Sequence, residues 1–269
     1  MRPMQRSTLA PALALLAGLA LVAPTLARTA PRSPSLDGGF VNPAPPPGAP
    51  EGAPLWSDDF DGYATGMQLH GEGGWKGWNN DPAAGALTSA TQAMSAPNSV
   101  DILGASDLIH EFTGYDSGIW TVTAHQFIPS GTTGQPYFIL LNNYTDGGPT
   151  NNWSTQVCFD VAAGVLRDDV PGDCTGTPTL PILFDQWVEL RTVIDLDLDT
   201  QTFFYNGQAL YTDTWTGHVS GGGLLNIDTI DLFANASTSV FYDDLSLSNA
   251  FFEDGFESGD TSAWTTTVP

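Results

Sequence analysis

The sequence predicts an all-β protein, folded as a two-sheet antiparallel sandwich. Three observations carry that expectation. Apolar and polar residues alternate with period two over much of the stretch from Leu55 to Asn249, the pattern of half-buried strands. Turn formers abound in the 269 residues, with 29 Gly and 20 Pro beside 11% aromatics. No sustained helical periodicity follows the N-terminal segment. About a dozen short strands in one block suit two packed sheets.

The elements follow in chain order. Residues 1–27 have the form of a secretory signal: Arg2 and Arg6, an apolar run from Leu13 to Val22, then Thr25-Leu26-Ala27 at the cleavage position. The run is shorter than the roughly 20 residues a membrane span needs, so a secreted chain with no span is expected. Residues 28–54 hold eight prolines, including Pro45-Pro46-Pro47, and read as a disordered linker. The sandwich domain is expected over 55–249. Gly118–Phe127 alternates through most of its length, and Pro136–Leu141 is a short continuous apolar strand. Trp187–Asp195 sets Glu189 and Arg191 on one face and Val188, Leu190, Thr192 and Ile194 on the other. Phe203–Leu210 carries Asn206-Gly207, whose positive φ angles a tight hairpin demands. Thr229–Phe233 and Ser239–Leu247 are the last strands. Residues 250–269 form a short acidic tail, too short for a domain. Phe252-Glu253-Asp254-Gly255 within it resembles terminal tails of secreted bacterial proteins, which implies a bacterial extracellular protein.

Charge excludes whole classes of partner. Lys+Arg total 7 against 30 Asp+Glu, a net charge of -23, and the only lysine is Lys76. Nucleic acid needs clustered cations and is excluded as a partner. An anionic membrane surface is disfavoured for the same reason. A polyanionic substrate would be repelled unless a local basic cleft exists.

A tryptophan-led strand at Trp187, a hairpin turning at Asn206-Gly207, and a last strand with Tyr242-Asp243-Asp244-Leu245 resemble the concanavalin A-like jelly roll, the group that includes laminin G-like modules. The resemblance spans about Leu55 to Ser248. It implies extracellular lectin, adhesion or carbohydrate-binding modules, with some glycosidases and polysaccharide lyases. It also implies that first and last strands can pair and that a structural calcium can sit there. Asp58, Asp59 and Asp61 with Asp243 and Asp244 would then be its ligands. The alternative is a solvated acidic edge that deters edge-to-edge association.

Two polar-aromatic stretches are candidates for sugar contact. Trp75, Trp78, Asn79 and Asn80 lie in a glycine-flanked segment, and Asn143 and Trp153 in a second one. Flat rings stack on sugar C–H faces while amides bond hydroxyls. The competing reading of any of these tryptophans is plain core. Enzyme chemistry is thinly supported. The Glu-x-Asp-x-x-Glu motif of the β-glucanase branch is absent, and Glu111 and Glu189 are the two glutamates on predicted body strands, the alternative glycosidase pair. A lyase would draw on His125, Gln126, Tyr137 and Arg191. The four histidines lack metal spacing, and Asp195, Asp197 and Asp199 lack the Gly and Glu of an EF-hand. Cys158 and Cys174 are expected to pair in an exported protein, closing a short loop worth about 3 kcal/mol in the chain-entropy model. Asn143, Asn152 and Asn235 each begin an Asn-x-Ser/Thr triplet, of no consequence in a bacterium. Three readings follow: a non-catalytic module that binds an extracellular polysaccharide or glycan, an enzyme of the same fold, and an adhesive or structural protein without a small ligand.

Overall fold

The computed structural model describes residues 55–249, so the expected signal, linker and tail lie outside the described residues. In chain order the strands are β1 (Trp56–Asp58), β2 (Trp75–Gly77), β3 (Leu87–Ser89), β4 (Ser99–Ile102), β5 (Asp107–Glu111), β6 (Ile119–Phe127), β7 (Tyr137–Asn143) and β8 (Asn152–Asp160). There follow β9 (Val165–Asp168), β10 (Thr179–Pro181), β11 (Trp187–Asp195), β12 (Thr200–Tyr205), β13 (Gln208–Asp213), β14 (Thr229–Phe233) and β15 (Val240–Asn249). They form the expected antiparallel sandwich. One sheet runs β13-β12-β11-β6-β15-β4-β3, with β1 also on β15; the other runs β10-β9-β8-β7-β14-β5-β2. First and last strands pair as the resemblance implied, with Asp58 opposite Leu245.

Alternation decides the faces. On β6, Trp120, Val122 and Ala124 enter the core while Thr123 and His125 face outward. On β11, Val188, Leu190 and Ile194 enter it, and Glu189 and Arg191 stay outside, as their spacing required. Between the sheets pack Phe138, Leu140, Val157, Phe159, Ile230 and Leu232 from one side and Phe203, Tyr242 and Leu247 from the other. The β12–β13 hairpin turns on Asn206 and Gly207, at φ 49° and 74°. Asp195 caps the preceding turn by accepting from the backbone N–H groups of Asp197 and Leu198, which is a strand end and not a calcium loop.

The seven-stranded sheet is apolar on both faces. Its outer face carries a second cluster of Ile109, Tyr137, Ile139, Leu141, Tyr144, Cys158 and Cys174, with Trp78, Trp153 and Phe233 partly buried against it. This is why β7 reads as a continuous apolar run: alternate residues serve two different cores. Cys158 and Cys174 form the expected disulfide, which ties the 169–176 loop to β8.

Candidate functional site

The outer cluster is open at its centre. There lies a cleft of about 380 Å³ lined by Trp78, Tyr137, Trp153, Phe233, Asp107 and Asp231, with Ile139, Gln156, Gly172 and Asn235 around them. Strand register builds it. Asp231 lies opposite Ile109 on β5 and Ile139 on β7, and Phe233 lies opposite Asp107 and Tyr137. Position 107 and position 231 are therefore diagonal neighbours on one face.

Two ring pairs line the cleft. Trp78 stacks on Trp153 with centroids 6.1 Å apart, and Tyr144 meets Trp78 edge-on at 4.7 Å. Tyr137 stacks on Phe233 at 5.9 Å. Trp78 is placed by a tight turn: a Cβ at Gly77 would lie 2.0 Å from the Asp81 carbonyl oxygen, so only glycine fits. Asn79 and Asn80 follow at φ 57°, a conformation asparagine tolerates. The Asn79 N–H donates to the Tyr144 hydroxyl and its Oδ1 accepts from Gly147, joining this turn to the 144–147 loop. Asn143 Nδ2 donates to the Thr150 carbonyl and closes that loop. Ser220 accepts from the Trp153 N–H.

The Asp107 and Asp231 carboxyls are diagonal neighbours across β5 and β14 and act on each other electrostatically. Burial raises both, and the neighbouring Asp107 charge pushes Asp231, which is only 2% exposed, well above the carboxylate range. Each keeps a buried Oδ1 that meets no donor from the protein. Beside them Tyr137 donates its hydroxyl to Asp169, whose carboxylate also accepts from the N–H groups of Cys174 and Gly176. Burial, then the Asp169 charge, drive the Tyr137 phenol up, so it stays protonated. On the flank of the same face Lys76 is held by Asp146 at 2.7 Å and Glu111 at 3.1 Å.

The residues expected from the sequence divide. Trp78 and Trp153, from the two separate stretches, are brought together, with Asn79 and Asn143 shaping the adjoining loops. Asn80 is exposed beside them. Trp75 is corrected to core: it is 1% exposed, packs on Phe60 and Trp56, and its indole N–H donates to Asp58. The Glu111–Glu189 pair is also corrected. Glu111 lies on the seven-stranded sheet and Glu189 on the other, so the two cannot flank one bond. The lyase set is scattered likewise: Gln126 is core, bonded to Tyr242, while His125 and Arg191 face outward from the sheet that lacks Tyr137.

The acidic residues assigned to calcium do not fit it. Asp58 accepts from Trp75, Tyr63 and the Phe60 backbone, and Asp243 from the Met94, Ser95 and Asp244 backbones. Asp59 caps a local turn by accepting from the Asp61 N–H, Asp61 accepts from the Asn98 N–H, and Asp244 accepts from the Ser95 hydroxyl. Oxygens already facing donors are poor cation ligands, and no group of three potential ligands converges among the described residues. Sequence reasoning missed Asp107, Asp231, Gln156, Phe233 and Asn235 as site residues. The available signal was Asp231 itself, a charge in the middle of an apolar strand.

No protein-family model matches the chain, and no curated protein matches it. Among solved structures, it is similar to an endo-β-1,4-glucuronan lyase from the fungus Trichoderma reesei at 9% identity and TM-score 0.48, covering 74% of this chain and 97% of that one. It is similar to the cellulose induced protein Cip1 at 14% identity and TM-score 0.47, covering 72% and 97%. A sialidase is similar at 8% identity and TM-score 0.48, over 81% of this chain and 22% of that one.

Proposed function

We propose that this is an exported, non-catalytic carbohydrate-binding protein of the concanavalin A-like group, which holds an extracellular glycan on the outer face of its seven-stranded sheet. The observation that carries the reading is the pair of ring stacks, Trp78–Trp153 and Tyr137–Phe233, along one open cleft with carboxyls and amides between them. Such a lining offers faces to sugar C–H groups and acceptors to sugar hydroxyls. Binding is favoured over cleavage because Glu111 and Glu189, the two glutamates on body strands, lie on opposite sheets and cannot flank one glycosidic bond. A lyase would need a cation to neutralise a substrate carboxylate, and Lys and Arg are absent from the cleft lining.

The test is a panel of polysaccharides with the exported chain, scoring retention and new reducing ends in the same tubes. Retention without release is expected, with retention lost in Trp78→Ala and Trp153→Ala. Release of ends would turn the reading to an enzyme. No retention on any polymer would favour the adhesive or structural reading. A chelator should leave retention and melting temperature unchanged; a clear fall in either would return calcium to the acidic clusters of β1 and β15.

A further inference from the structure

We propose that the Asp107–Asp231 end of the cleft is a subsite for a protonated amine, so that the glycan taken by this face is one with free amino groups, a polymer of hexosamine rather than of neutral or acidic sugars. The inference rests on the glycan reading above and names its ligand class.

The argument begins with what the cleft lacks. Its polar lining is Asp107, Asp231, Gln156 and Asn235, with the Tyr137 hydroxyl committed to Asp169 and no cationic side chain. The two amides each spend a donor inward, Gln156 Nε2 on the Asp169 carbonyl and Asn235 Nδ2 on the Gln135 carbonyl. At the floor, the buried Oδ1 atoms of Asp107 and Asp231 are acceptors that meet no donor from the protein. Nearby cations on this sheet are committed elsewhere, Lys76 to Asp146 and Glu111, and Arg167 to Asp160 at 3.0 Å.

A ligand that completes such a site should bring hydrogen-bond donors and positive charge. An ammonium brings three N–H donors and a positive charge to two neighbouring carboxyls. A sugar hydroxyl brings one donor and no charge. A uronate brings a third carboxylate and is repelled. The walls agree, because Trp78, Trp153, Tyr137 and Phe233 attract a cation through their faces as well as stacking on a sugar ring. The long-range field agrees too, since a chain of net charge -23 gathers polycations and disperses polyanions.

The test is calorimetric titration of the exported protein at pH 6 with a glucosamine hexamer, its fully N-acetylated counterpart, an oligogalacturonate and a lysine hexamer. The glucosamine hexamer should bind at least about tenfold more tightly than the N-acetylated one. That preference should vanish in Asp231→Asn and in Asp107→Asn, two variants that keep the side-chain shape, while Trp78→Ala weakens both hexosamine ligands. Equal binding of the two hexosamine ligands would overturn the amine subsite and leave the glycan reading standing. A preference that survives both Asn variants would also overturn it. A lysine hexamer that matches the glucosamine hexamer would reduce the effect to net charge and overturn it as well. Failure of every saccharide to bind would remove the glycan reading and this inference together.

Discussion

Asp168 and Asp231 lie on the same sheet and are buried alike, at 3% and 2% exposure, yet the fold treats them in opposite ways. At Asp168, which ends β9, His218 supplies a ring nitrogen at 2.8 Å and turns its other nitrogen to Asp213 at 3.3 Å. The imidazole also stacks on Tyr211 with centroids 4.5 Å apart. Asp231 receives no cation and only another carboxyl. A fold that had merely failed to avoid a buried acid would be expected to neutralise it, as it does at Asp168. The difference is one of place: the unanswered carboxyl is the one that lines a cleft.

The largest effect should come from breaking the answered site. In His218→Ala, Asp168 keeps its burial and loses its partner, which costs about 3–5 kcal/mol by analogy with other severed buried pairs. Urea denaturation would read it. The pH dependence fixes the cause. Burial works to lower the His218 pKa, but the hydrogen bond and charge of Asp168, then those of Asp213, outweigh it and hold the imidazole above its ordinary value. A group raised in the folded state stabilises fully below its unfolded pKa, about 6.5. That stability is lost as pH rises through the folded value. The wild type should therefore weaken above neutrality, and His218→Ala should lose that slope.

Asp231→Asn should act in the reverse direction and by less. The folded pair holds a proton that an unfolded carboxyl surrenders near pH 4, so it destabilises the fold as pH rises from about 4. Replacing the proton-holding carboxyl by a neutral amide removes that cost, so the variant should gain about 1 kcal/mol at pH 7 and lose the fall in stability that the pair imposes as pH rises from about 4. The two sites thus give slopes of the same sign in different windows, and the two variants separate them. A loss of stability in Asp231→Asn would mean that the pair is structural, and the contrast with Asp168 would collapse.

Much of the frame was legible from the sequence, and the reason is local. Alternation over β6 and β11, the Asn206-Gly207 turn and the cysteine pair are each decided by a few neighbouring residues. The site was legible only in half. Trp75 and Trp78 stand three residues apart between glycines and look equivalent, yet one fills the core and the other lines the cleft. What separates them is the register of β2 on β5, a pairing across more than thirty residues of chain. Asp107 and Asp231 are further apart still, and they are neighbours only because β5 and β14 pair in one sheet. The Glu111–Glu189 pairing failed for the same reason: a sandwich has two outer faces, and composition does not say which strand belongs to which sheet.

The smallest change separates ring from hydroxyl within the cleft. Tyr137→Phe keeps the face that stacks on Phe233 and removes the hydrogen bond to Asp169. Asp169 is not orphaned, because the Cys174 and Gly176 N–H groups still bond it inside the disulfide-tied loop. The stability lost should therefore be that of one ordinary hydrogen bond, about 0.5–1.5 kcal/mol in urea. Glycan retention should be unchanged, since the hydroxyl is already committed inward and the ligand meets the ring. A tenfold loss of retention with little change in stability would instead place the Tyr137 oxygen among the ligand contacts. The polar recognition would then be shared between the Asp107–Asp231 pair and the Tyr137–Asp169 pair, and the sharp division between an answered and an unanswered carboxylate would have to include a third.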